Sequence, residues 1–133
     1  MCVCQCVALA GFAQGVEFRD ISFAGALKAA KAENKTVFMD CYTSWCGPCK
    51  MMTNDIFPQE KVGKYMNENF VCVKYDMEKG EGPELGKKFG VRAYPTFVII
   101  NPDGSILHKL VGGGEGEQFI GRVKEAFDNE KAL

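Results

Sequence analysis

Trp45-Cys46-Gly47-Pro48-Cys49-Lys50 follows a short apolar run, Thr36-Val37-Phe38-Met39-Asp40-Cys41-Tyr42, and precedes a segment with helical spacing. Two cysteines three apart at a helix start place both sulfurs on one turn, close enough to form a disulfide. The first sulfur then sits beside unpaired backbone N–H groups, where the helix dipole favours negative charge. A thiol in that place ionises more easily, and the thiolate is the species that attacks disulfides. Pro48 suits the first turn, where a missing N–H costs nothing. Cys46 is therefore read as a nucleophile and Cys49 as the thiol that resolves the mixed disulfide.

The same pair also fits a permanent disulfide or half of a zinc site. A four-ligand zinc site needs a second pair at suitable spacing, and the sequence offers none. His108 stands alone in an expected strand. No metal site is expected.

With 133 residues the chain is long enough for one domain with a core and too short for two. Hydrophobic content of 47% and charged content of 25% are those of a globular protein. A formal net charge of −1 supplies no basic field, which argues against a nucleic-acid partner. No apolar run approaches the roughly 20 residues needed to span a bilayer.

Of seven cysteines, Cys2, Cys4 and Cys6 lie in an apolar opening segment that ends in small residues before Gln14. Residues 1–13 read as the later part of a secretory signal peptide, truncated because a positively charged start is missing, with Gly11-Phe12-Ala13 at the cleavage site. The rival reading, a Cys-x-Cys-x-Cys metal tract, lacks His and acidic partners. Export to the periplasm or a similar compartment is expected, with a cytoplasmic location as the alternative. Residues 14–133 form the domain.

Along the domain, Glu17–Ile21 reads as a short first strand. Ser22 caps a helix over 23–33, where Phe23, Leu27 and Ala30 share one face. Thr36–Tyr42 is apolar on both faces, as in the centre of a covered sheet. Phe57-Pro58 interrupts the helix after the cysteines, because proline restricts the residue before it and lacks an N–H. A second helical piece and a buried strand, Phe70–Asp76, follow, and a crossover of this length implies parallel pairing. Pro83 opens a short helix that ends at Gly90. Thr96–Asn101 and Ser105–Val111 are strands joined by an Asn-Pro-Asp-Gly turn. A last helix buries Phe119, Ile120, Val123 and Phe127.

Trp-Cys-Gly-Pro-Cys-Lys resembles the active site of the thioredoxin family, and the pattern of elements resembles that family over roughly residues 17–128. The resemblance implies the thioredoxin-like α/β fold, a central mixed β-sheet flanked by helices on both faces. It implies that Asp40, six residues before Cys46, is buried behind the disulfide and exchanges protons with Cys49. Burial would raise its pKa towards neutrality, suiting a general acid/base. Lys74 matches a family lysine that approaches this Asp from the neighbouring strand. Tyr94-Pro95-Thr96 resembles the family's cis-proline loop, which faces the cysteines and can pair with an extended substrate peptide. With Trp45, an apolar surface before the nucleophile, and the intervening Gly47 and Pro48, these residues form the expected substrate-binding face. Gly112-Gly113-Gly114 leaves flat backbone near it by the same analogy, or is flexible punctuation. Cys41 and Cys72 are expected to be inert packing residues, with a second disulfide as the alternative.

The chain departs from the family at Asn54, where thioredoxins carry proline, and at Tyr94, where they carry a smaller aliphatic residue. These changes resemble exported thioredoxin-like proteins and the redox domain of membrane thiol-reductant transporters. The function implied is reduction of protein disulfides by a monomer that needs no cofactor beyond its own dithiol. Electrons would come from an upstream thiol reductant, such as a membrane electron transporter. Gly-Pro between the cysteines supports the reducing direction, because a histidine there would stabilise the thiolate and make the disulfide more oxidising. The alternative is a binding module that holds a client or a soft metal through the two thiols.

Overall fold

Ser22 starts the first helix, α1 (Phe23–Glu33), by accepting the Gly25 N–H on its side chain at 3.0 Å. That satisfies one of the donors a helix start leaves unpaired. Asn34 closes the helix in a left-handed conformation, φ 58°, which asparagine tolerates better than most residues. The computed structural model describes residues 15–132, with side chains to Asp128; the expected signal segment, residues 1–13, lies outside the described residues.

After α1 come β1 (Thr36–Tyr42), α2 (Gly47–Met51) running into a π-helical turn (Met52–Ile56), and α3 (Glu60–Asn69). Then follow β2 (Phe70–Asp76), α4 (Gly82–Phe89), β3 (Thr96–Ile100), β4 (Ile106–Val111) and α5 (Gly116–Ala132). The sheet runs β2-β1-β3-β4. β1 and β2 are parallel, while β3 is antiparallel to both β1 and β4. In register, Asp40 stands between Lys74 on one side and Phe97 on the other.

The expected strand at Glu17–Ile21 is reduced to one parallel bridge, Phe18 to Cys72. Its polar groups have other partners. Val16 N–H donates to Phe57 O at 2.8 Å, Glu17 N–H donates to Asn67 Oδ1 at 2.9 Å, and the Arg19 guanidinium forks onto Glu33 at 2.6 and 2.7 Å. Two bonds reach β2: Arg19 N–H donates to Cys72 O at 2.9 Å, and the Tyr75 hydroxyl donates to Ile21 O at 2.8 Å.

Because β1 is central, both its faces are buried, and the core has two halves. Val37, Met39 and Cys41 pack with α1 and α4; Phe38 faces the other way, into Met52, Phe57, Phe70, Phe97, Phe119 and Phe127. Cys41 and Cys72 belong to opposite halves, both as free thiols, so the sheet itself stands between them. Burial pushes each thiol up to about 12, which keeps it protonated at neutral pH and suits inert packing.

Phe38 has no exposed surface and lies 5.4 Å from Phe97, stacked, and 6.0 Å from Phe119, edge-on. Phe38→Ala is expected to lower unfolding free energy by about 3–5 kcal/mol, read from urea denaturation. A loss below about 1 kcal/mol would mean that this cluster repacks freely.

Candidate active site

β1 ends at Tyr42, and Thr43–Trp45 turn the chain into α2. Cys46 is the helix cap, extended at φ −82° and ψ 115°, and its Sγ accepts the Cys49 N–H at 3.1 Å. Pro48 lies in the first turn, where it gives up no helix bond. Cys46 and Cys49 are disulfide-bonded, with Cα atoms 5.2 Å apart. Closing the disulfide leaves both residues nearly covered, at 4% and 5% exposure. Cys46 is thus less open than its place after an exposed Trp suggests. Gly47 and Pro48 are exposed beside it.

The helix widens at Met52–Ile56, where Phe57 N–H reaches back five residues to Met52 O at 2.8 Å. Asn54, where the family's proline is absent, lies inside this turn. Single π turns inside helices often mark functional sites. Pro58 and the extended Gln59 then separate it from α3.

Asp40 lies on the same face of β1 as Phe38 and is 2% exposed. Among the described residues its Oδ1 has no hydrogen-bond partner. Burial raises the carboxyl from 3.8 to about 7, against the opposing pull of the Lys74 charge. Lys74 does not reach it as a hydrogen-bond donor. Its ammonium sits over the rings of Tyr42 and Phe18, at 5.2 and 5.3 Å, and 3.5 Å from Thr53 Oγ1. A cleft of about 180 Å³ runs between Thr43, Cys49, Thr53 and Lys74. Cys49 and Lys74 thus line the same cleft.

The Tyr94–Pro95 bond is cis. Pro95 is buried, Thr96 Oγ1 donates to Ala93 O at 2.6 Å, and Thr96 pairs with Cys41 and Val111 across the sheet. The Tyr94 ring meets Trp45 edge-on at 5.8 Å, which ties the proline loop to the dithiol turn. Trp45 is 63% exposed.

Two neighbours escaped the sequence reading. Glu78 receives the Trp45 indole N–H, at 3.1 and 3.2 Å to its two oxygens, and so fixes the ring's orientation. No local pattern marks an acidic residue in the loop after β2 for that contact. Thr43 is 1% exposed and lines the Cys49 cleft, and among the described residues its hydroxyl has no hydrogen-bond partner. A polar residue at the end of an apolar strand was its only signal.

A mixed four-stranded sheet, a dithiol at a helix start and a cis-proline loop beside it define the thioredoxin class of fold and site. The family model for the thioredoxin-like domain matches residues 23–127. A solved structure described as a disulphide-isomerase from Bacteroides thetaiotaomicron is 47% identical, with TM-score 0.78 over 86% of this chain and 95% of that one. The C-terminal domain of Neisseria meningitidis DsbD, in the oxidised form, is 27% identical with TM-score 0.65, covering 77% of this chain and 90% of that one. Thioredoxin H4 of Arabidopsis thaliana is 36% identical over 67% of this chain and 70% of its own length. The chain spans about half the length of other curated relatives, such as chloroplastic Thioredoxin Y2, where it covers 52%. This chain belongs to the thioredoxin-like domain family.

Proposed function

We propose that this chain is a thiol–disulfide oxidoreductase that reduces protein disulfides. The observations that carry the reading are the Cys46–Cys49 disulfide at the start of α2 and a buried, near-neutral carboxyl at Asp40 on the strand that leads to it. A structural disulfide has no need of such a carboxyl.

The Cys46 thiolate attacks one sulfur of the client disulfide. A mixed disulfide forms, the client bond breaks, and the other client sulfur leaves as a thiolate that takes a proton. Asp40 then accepts the Cys49 proton, and Cys49 attacks Cys46 Sγ. The second client thiol is released, and Cys46–Cys49 is oxidised by two electrons. Lys74 holds positive charge at the Cys49 cleft, which favours ionised Asp40 and the Cys49 thiolate. Trp45, Gly47, Pro48, Tyr94, Pro95 and Thr96 supply the surface against which the client lies. Return to the dithiol needs an upstream thiol reductant and no bound cofactor.

Export, with a membrane electron transporter as that reductant, is the placement we favour. It is supported by the signal-like opening segment and by similarity to the DsbD C-terminal domain. Among the described residues no helix is long and apolar enough to cross a membrane. For the soft-metal alternative, Met52 is unsuited, because it is fully buried in the phenylalanine cluster.

The test is the reduction potential of the Cys46–Cys49 pair, by equilibration with glutathione and Cys46→Ser as control. A value near that of thioredoxin, about −270 mV, is expected. A value near about −120 mV would reverse the direction to disulfide formation. No reversible couple would leave the binding module.

A further inference from the structure

α5 carries a basic side chain that the redox chemistry does not use. The Arg122 guanidinium donates to three consecutive carbonyls: Nη2 to Val111 O at 2.9 Å, and Nη1 to Gly112 O and Gly113 O, both at 3.0 Å. Gly112 in turn donates its N–H to Pro95 O at 2.9 Å. Its φ of 91° is one that glycine adopts without strain. On the other flank, a Cβ on Gly113 would lie 2.9 Å from Met52 Sδ and 3.8 Å from Met51 Cε. The segment is thus wedged between the proline loop and the dithiol helix, with Val111 60% exposed on the rim.

Three glycines in a row have more backbone freedom than any other triplet and no side chains to hold them. Their geometry must be imposed from outside. A guanidinium suits that task, since it is planar, offers five donors in a fixed fork, and makes charge-assisted bonds. Lysine offers a point charge instead.

We propose that Arg122 is a positioning residue for client binding. It clamps the Val111-Gly112-Gly113 backbone so that the face beside Cys46 is pre-formed for the extended backbone of a protein client. Pre-forming that face removes ordering entropy from the binding step. The proposal rests on the reading of protein disulfides as substrates. Arg122 bonds to the loop's carbonyls, so attack on a small disulfide that does not cover the loop is independent of it.

The experiment compares wild type, Arg122→Gln and Arg122→Lys with insulin as protein disulfide and hydroxyethyl disulfide as small one. Arg122→Gln is expected to raise KM for insulin about tenfold, roughly what ordering one further residue amounts to. Its kcat and its rate with hydroxyethyl disulfide stay unchanged, and Arg122→Lys falls between. Amide exchange at Gly112 should quicken while Val98, in the sheet centre, keeps its protection. An unchanged insulin KM overturns the proposal, and so does an equal loss with both substrates, which would mark a merely structural residue. If Arg122→Gln does not fold, Arg122→Lys decides on the same criteria. Wild type that reduces hydroxyethyl disulfide and not insulin would instead sink the functional reading, and the proposal with it.

Discussion

Cys46→Ser is expected to reduce disulfides only at the uncatalysed background, while Cys49→Ser still attacks once and stays joined to its client. Removal of a covalent nucleophile costs on the order of 10⁶ in rate in a well-studied hydrolase, and the loss here should be of that kind. The two roles follow from placement. Cys46 caps α2, with its sulfur receiving the Cys49 N–H, a contact that favours the anion. Cys49, three residues on and nearly covered, lines a cleft with Thr43 and Lys74. Insulin reduction measures the first effect, and mass spectrometry of unreduced mixtures measures the second. An adduct on Cys46→Ser and none on Cys49→Ser would exchange the roles.

Asp40→Asn is expected to slow turnover by about 10², the lower end of what a positioned acid/base contributes, and to stabilise the fold at the same time. The folded carboxyl titrates near 7 and the unfolded one near 3.8. Below about pH 4 the group is neutral in both states, and its burial carries no charge penalty. As pH rises from 4 to 7, the unfolded chain ionises first, so stability falls continuously and levels off above 7. By pH 8 the penalty amounts to about 4 kcal/mol. Urea denaturation should therefore find Asp40→Asn more stable by that order at pH 8 and nearly equal to wild type at pH 4. The pH–rate profile should lose its inflection near 7. Equal stability at both pH values would show that Asp40 is hydrated in the folded chain, and would remove it from proton transfer.

These two effects pull in opposite directions, as expected where a buried ionisable group serves chemistry and not the fold. Lys74 bears on the same balance. It moderates the Asp40 penalty by charge while its ammonium is held over Tyr42 and Phe18.

Much of the fold was legible because its signals are local. Ser22 and Asn34 bracket α1 through contacts within four residues of each end, and an apolar run is enough to mark β1 and β2 as covered. Phe57-Pro58 predicted the helix break, although the π turn before it has no comparable local code. The first strand failed for the opposite reason. Glu17–Ile21 has strand-like composition, but Glu17 N–H goes to the Asn67 side chain and the Arg19 guanidinium to Glu33, which leaves a single bridge to β2.

The sequence by itself determined the dithiol, its position at a helix start and the central strand carrying Asp40, because each depends on neighbours a few residues apart. Only the tertiary structure decided what surrounds them. Trp45 meets Glu78 across 33 positions, Lys74 meets Thr53 across 21, and Arg122 reaches back to Val111 across 11. The burial of the face of β1 that carries Phe38 is likewise set by α3 and α5 closing over the sheet. A local pattern can state which residues turn inward; which partners meet them there is set by how the helices pack.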